Sequence, residues 1–149
     1  MSLNDQINVD LKAAMKSGDK PRLDTLRLLR AAMIELAKRG EGTTITPDDE
    51  LSVLMAAMKK RKEAIEVYEK AGRMELAEQE RKELEIISGY LPKQLSPEEA
   101  AAIIQRIITE TGAATAKDFG KVMPLAMKEL KGKFDGKAVQ EMVKAKLGA

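Results

Sequence analysis

The chain reads as an all-α protein of two parts: an N-terminal helical domain built on long, hairpin-like helices, then a small three-helix domain. Three observations carry this. Aromatic residues are only 3% of the 149, while Ala, Leu, Glu, Lys, Arg and Met abound, a composition that favours helix over sheet. Apolar residues recur at helical spacing along the long segments, with no alternating strand pattern and no internal repeat. Helix-starting and helix-stopping residues punctuate the intervals between them.

Leu3, Ile7, Leu11 and Met15 predict a first helix over 3–16, ended by Ser17-Gly18-Asp19. Pro21 falls in the first turn of a second helix, where its missing N–H is harmless, and Leu23, Leu26, Leu29, Met33 and Leu36 form the apolar stripe. Gly40 and Gly42 close it, with 41–46 as a loop. Thr46-Pro47-Asp48-Asp49 combines a hydroxyl cap, a first-turn proline and acids at the positive dipole end. The helix it opens runs to Lys70, about 36 Å, buried through Leu51, Leu54, Met55, Met58, Ile65 and Tyr68. A fourth helix covers 74–88, buried through Leu76, Ala77, Leu84 and Ile87, and Gly89-Tyr90-Leu91-Pro92 ends it. Ser96-Pro97-Glu98-Glu99 has the pattern of a capping box and opens the second domain, so the division falls at 1–95 and 96–149. Its helices are expected over 97–111, 116–131 and 136–147, with Gly112 and Gly132 as stops.

Composition also closes several chemistries. The chain has no Cys and no His, hence no disulfide, no thiolate nucleophile, no imidazole base and no thiolate or imidazole metal ligand. No metal or other cofactor is expected. The longest uninterrupted apolar run, Val53–Met58, is six residues, against the roughly 20 that a spanning helix needs. Asp5 and Asp10 stand where a signal peptide would be apolar, so the expected location is the cytoplasm, without a membrane partner.

The net charge of +2 conceals a gradient. Residues 1–95 hold 17 basic and 17 acidic side chains, whereas residues 117–149 hold eight Lys against Asp118, Glu129, Asp135 and Glu141. On a helix, Lys117, Lys121, Lys128 and Lys131 fall within an arc of roughly 80°, opposite Phe119, Val122, Met123, Ala126 and Leu130. Lys133 and Lys137 continue the basic surface through Gly132-Lys133-Phe134-Asp135-Gly136. Such a surface attracts phosphate through a salt-dependent term. Gly120, Gly132 and Gly136 would shape the backbone near a partner, and the last helix's N-terminal amides could face an anion. A solvated helix face accounts for the same lysines. Interleaved aromatics that would stack bases are missing, which leaves backbone and shape as the readable features.

Other patterns carry less. Gly112 to Gly120-Lys121 has the wrong spacing for a phosphate loop, and Val122 replaces the magnesium-binding hydroxyl. Lys59-Lys60-Arg61-Lys62, flanked by Glu63 and Glu66, reads as an ion-paired surface. Glu75, Glu78, Glu80, Glu83 and Glu85 interleave with Arg73, Arg81 and Lys82 as salt-bridged helix faces rather than a catalytic dyad. Pro124 removes a hydrogen bond to Gly120 inside its helix, which gives either a kink on the basic face or a tolerated surface proline.

The run from Lys60-Arg61-Lys62-Glu63-Ala64-Ile65-Glu66-Val67-Tyr68-Glu69-Lys70-Ala71-Gly72-Arg73 through Glu80, Glu83 and Leu84 to Gly89-Tyr90-Leu91-Pro92-Lys93-Gln94-Leu95 resembles the bacterial YqeY-like family. Gly120-Lys121-Val122-Met123 and Lys131-Gly132-Lys133-Phe134-Asp135-Gly136-Lys137 extend the resemblance over nearly the whole chain. That family is similar to the C-terminal tail of the large tRNA-contacting subunit of the glutamyl/aspartyl-tRNA amidotransferase. The enzyme is a carbon–nitrogen ligase that takes its nitrogen from glutamine. The resemblance implies a tail-like three-helix C-terminal domain and a partnership with tRNA, or with an amidotransferase or other tRNA-processing protein. It implies no complete active site: no catalytic residue is assigned, and any ligase label would be inherited from the related subunit. Two positions depart from the family pattern. Phe134 stands where a small residue is usual, and Pro124 where glycine is commoner. The expected phosphate contacts are Lys117, Lys121, Lys128, Lys131, Lys133 and Lys137. The alternative is a helical protein-interaction module with no nucleic-acid role.

Overall fold

A computed structural model describes residues 2–39 and 44–148. Among them are α1 (Leu3–Ser17), α2 (Lys20–Ala37), α3 (Pro47–Lys70), α4 (Met74–Ser88), α5 (Pro97–Thr111), a 3-10 turn (Ala116–Asp118), α6 (Phe119–Leu130) and α7 (Gly136–Lys146), and no strand. The stop expected at Gly40 and Gly42, and loop residues 41–43, lie outside the described residues. The chain divides into two compact units, Met1–Leu91 and Pro92–Ala149.

In the first unit, α1 and α2 pack on each other, and α3 and α4 form a long hairpin. Ile7, Leu11, Leu26, Leu29, Met33, Leu54, Met58 and Ile87 make its core. The stripe expected on α1 turns away at its last member: Met15 is 58% exposed and Ala14 is buried instead. A four-residue step overshoots a full turn by about 40°, so three such steps from Leu3 carry Met15 off the buried face. Leu76 on α4 is also exposed, and Ala77 beside it takes the core position.

Long-range polar contacts fix these helices. The buried Glu50 carboxylate on α3 accepts the Asn4 N–H at 2.8 Å, which satisfies an unpaired amide at the positive end of α1. Arg61 on α3 reaches Glu80 at 3.5 Å and Glu83 at 3.0 Å on α4. Arg81 pairs with Glu69 and Glu78. Within the acid-rich stretch Glu78 pairs with the interleaved Arg81 as expected, but Glu80 and Glu83 pair with Arg61 across the hairpin rather than with Arg73 or Lys82, and Arg61 takes neither Glu63 nor Glu66 beside it. Burial and the neighbouring Glu83 push the Glu80 carboxyl above its ordinary value, with Arg61 opposing them. The Tyr90 hydroxyl donates to Asp10, and the Arg22 guanidinium donates to the same hydroxyl oxygen at 3.5 Å. Burial, then the Asp10 carboxylate, holds the Tyr90 phenol far above its usual range.

In the second unit, α5, α6 and α7 enclose a separate aliphatic core of Ala100, Ile104, Ile107, Val122, Ala126, Leu130, Val139 and Val143. Ser96 caps α5 by accepting the Glu99 N–H at 3.1 Å. The box is not reciprocal there: the Glu99 carboxylate takes the Ser96 hydroxyl at 3.3 Å. Reciprocal boxes form at Ser2 with Asp5 and at Thr46 with Asp49, where the shorter carboxylate reaches back to the cap N–H.

Both tyrosines, Tyr68 and Tyr90, lie in the first unit, so tyrosine fluorescence reports its unfolding alone. Leu54→Ala empties a fully buried site on α3. It is expected to cost about 2–5 kcal/mol, read as a lowered urea midpoint of the tyrosine signal.

Candidate nucleic-acid interface

The expected helix over 116–131 is shorter at both ends. Asp118 Oδ2 accepts the N–H groups of Ala114 at 2.8 Å and Thr115 at 3.2 Å, and the chain makes a 3-10 turn before α6 begins at Phe119. Those two amide bonds hold the Asp118 carboxyl below its ordinary value, with nearby Lys121 adding to them. At the other end, Lys131 caps the helix with ψ 128° and leaves its course. Only Lys121 and Lys128 therefore lie within α6. They are seven residues apart, a near whole number of turns, so they share one face. Lys117 sits in the 3-10 turn, Lys131 and Lys133 border the Gly132 turn, and Lys137 is in the first turn of α7.

The opposite face of α6 packs as expected. Val122, Ala126 and Leu130 are buried, and Phe119, Met123 and Met127 pack against the same core. Phe134 also packs inward against that core. Pro124 is accommodated inside a continuous α6, and both it and Gly120, whose carbonyl lacks the proline's N–H, are exposed to water. Helix α7 runs antiparallel to α6. A Cβ on Gly136 would lie 3.5 Å from Met127 Cε, while Lys144 Nζ sits 5.8 Å from the Phe119 ring centre. Lys144 thus joins the end of α6 that carries Lys117 and Lys121. Sequence spacing could not link these positions, because the link is made by antiparallel packing.

Of the three glycines expected to shape the backbone, only Gly132 does so by conformation, with φ +79°. Gly120 and Gly136 lie in right-handed helix, and neither has a contact that excludes a Cβ. The Gly132 turn is held by a clasp that sequence spacing did not reveal. Gln94 Nε2 donates to Gly132 O at 2.7 Å and to Pro92 O at 3.0 Å, and the Leu95 N–H donates to Lys133 O at 3.0 Å. The Gly-Tyr-Leu-Pro-Lys-Gln-Leu stretch therefore anchors both units: Tyr90 serves the first, and Gln94 with Leu95 serves the second.

Carboxylates in this unit are turned to internal work. Asp118 caps the 3-10 turn, Glu129 pairs with Arg106 on α5, and Asp135 caps α7 by accepting the Ala138 N–H at 3.2 Å. The last contact bears on one expectation: at the N-terminus of α7 the Ala138 amide is already taken up by the chain's own Asp135 carboxylate. Lys117, Lys121, Lys128, Lys133 and Lys137 are exposed and have no ion pair among the described residues. No group of three or more Asp or Glu suited to a metal ion occurs among the described residues.

A family model described as Yqey-like protein matches residues 4–147. The chain belongs to the YqeY-like family. Among relatives, the protein named "Altered inheritance of mitochondria protein 41, mitochondrial" of Pyrenophora tritici-repentis is 30% identical over 95% of this chain and 81% of its own length. An uncharacterized protein of Schizosaccharomyces pombe is 37% identical over 60% of this chain and 72% of its own length. Similarity to this YqeY-like chain thus reaches eukaryotes, one of the two relatives being named as mitochondrial. No helix among the described residues is long and apolar enough to cross a membrane.

Gln94→Ala strips the carbonyl of the buried Gly132 of its donor and is expected to cost about 1–2 kcal/mol, seen as a lower urea midpoint by circular dichroism; Lys93→Ala, beside it and exposed, should leave that midpoint in place. Because folding lowers the Asp118 pKa from 3.8, its contribution is complete above that pH and fades as the pH falls through the lower folded value. The melting-temperature gap between the wild type and Asp118→Asn should accordingly be widest near neutrality and close in acid.

Proposed function

We propose that residues 92–149 bind the phosphate backbone of tRNA, free or held by a tRNA-modifying enzyme, and that the chain acts as an accessory protein without a catalytic centre of its own. The supporting observation is the division of charge in the second unit. Three of its four acids after residue 116 are committed to caps or to Arg106, while five exposed lysines have no such partner among the described residues. A fixed array of unneutralised cations releases condensed counterions when it meets a polyphosphate. No aromatic platform accompanies it, so recognition would follow backbone and shape rather than base identity. The resemblance to the amidotransferase tail gives the same reading. A carbon–nitrogen ligase role would then belong to the enzyme that holds the tRNA. Cytoplasm and mitochondrial matrix both supply tRNA, so the reading serves either compartment.

Gel shift of bulk tRNA at several salt concentrations tests this. Each phosphate contact should contribute roughly 0.7–0.9 to the slope of log affinity against log salt, so Lys121→Ala with Lys128→Ala should flatten it by about 1.4–1.8. No shift at low salt would remove autonomous RNA binding.

A further inference from the structure

The first unit carries a groove that its own packing leaves open. It lies between α2 and α3, has a volume of about 550 Å³, and is floored by Leu28, Leu29, Leu36, Val53 and Ala57. Leu28 is 54% exposed although it belongs to this apolar floor. The lining residues recur at four-residue steps on both walls, 28, 32, 36 on α2 and 49, 53, 57, 61 on α3. Two such ridges, about 12 Å long on α2 and about 18 Å on α3, fit the ridge of a third helix. Ala32, Ser52 and Ala56 keep the walls low, which lets another backbone approach.

Charge at the rim selects the occupant. Glu35 is paired with Lys38, Asp49 is taken up by the Thr46 cap, and Arg61 already faces Glu80 and Glu83. Arg39 and Lys60 remain at the rim with no ion pair among the described residues. We propose that this groove docks an amphipathic helix of a partner protein, one whose apolar i, i+3, i+4 stripe is flanked by Asp or Glu. The apolar floor supplies contact area, and Arg39 and Lys60 meet the flanking acids and set orientation. This surface is separate from the lysines of the second unit and does not depend on their role.

The probe is a synthetic peptide of about 18 residues, five helical turns, with a Leu/Ala stripe flanked by Glu, and a second peptide with Lys in place of Glu. Each is titrated into the isotope-labelled full chain and followed by amide chemical shifts. The acidic peptide is expected to move Ala32, Leu36, Val53 and Ala57. Arg39→Glu with Lys60→Glu should weaken it roughly five- to tenfold and improve the basic peptide. Ala56→Trp, at an exposed position in the groove, should block both. Equal binding of the two peptides, shifts centred elsewhere, or no shifts would overturn the proposal. So would sedimentation showing that the chain alone dimerises and that Ala56→Trp restores the monomer, since the occupant would then be a second copy.

Discussion

Three short helices can bury only one aliphatic face each, and that constraint governs the second unit. The core of Ile, Leu, Val and Ala side chains consumes the apolar stripes of α5, α6 and α7. All remaining polar groups must be satisfied by caps, by ion pairs or by water. Short helices have a high proportion of ends, and carboxylates are what their N-termini accept. Asp118 and Asp135 go to them, and Glu129 pairs with Arg106 of α5 at the surface. Lys117, Lys121, Lys128, Lys133 and Lys137 remain exposed without an ion pair among the described residues, while three of the four acids after residue 116 are engaged. The basic turn stays in one shape because Gln94 and Leu95 hold its carbonyls.

The first unit solves the same problem with a different result. Its residues 1–91 carry 17 acids and 16 bases, and cross-hairpin contacts join Arg61 to Glu80 and Glu83, and Arg81 to Glu69. Tyr90 and Glu50 supply polar anchors where α1 meets its neighbours. What this arrangement leaves open is apolar rather than basic. The two units therefore differ in what they leave exposed, lysines in the second and an apolar groove in the first.

Local physics was legible in the sequence. The bounds of α3, α4 and α5 follow from caps, first-turn prolines and stop glycines, and each begins and ends where those signals place it. Most departures share one cause, which is that a side chain chose a partner the pattern could not show. Asp118 reached back to two amides and delayed α6; Glu99 took a hydroxyl instead of a backbone N–H. Met15 and Leu76 are exceptions, each exposed while a neighbouring alanine takes the core position. Gln94, Arg61 and Lys144 depend on residues brought near by tertiary packing, for which spacing carries no signal. The lysines themselves were visible, while the engagement of their neighbouring acids was not.

Membership of the YqeY-like family sets the fold in context, and the names of the two relatives assign no reaction. What matters most is whether the unpartnered lysines of the second unit form the RNA-contacting surface. Lysine acetylation footprinting of the full chain, with and without bulk tRNA and read by mass spectrometry, tests this residue by residue. Slowed modification is expected at Lys117, Lys121, Lys128, Lys133 and Lys137, with Lys59 and Lys62 of the first unit unchanged. Protection spread evenly over both units, or confined to the first, would contradict it.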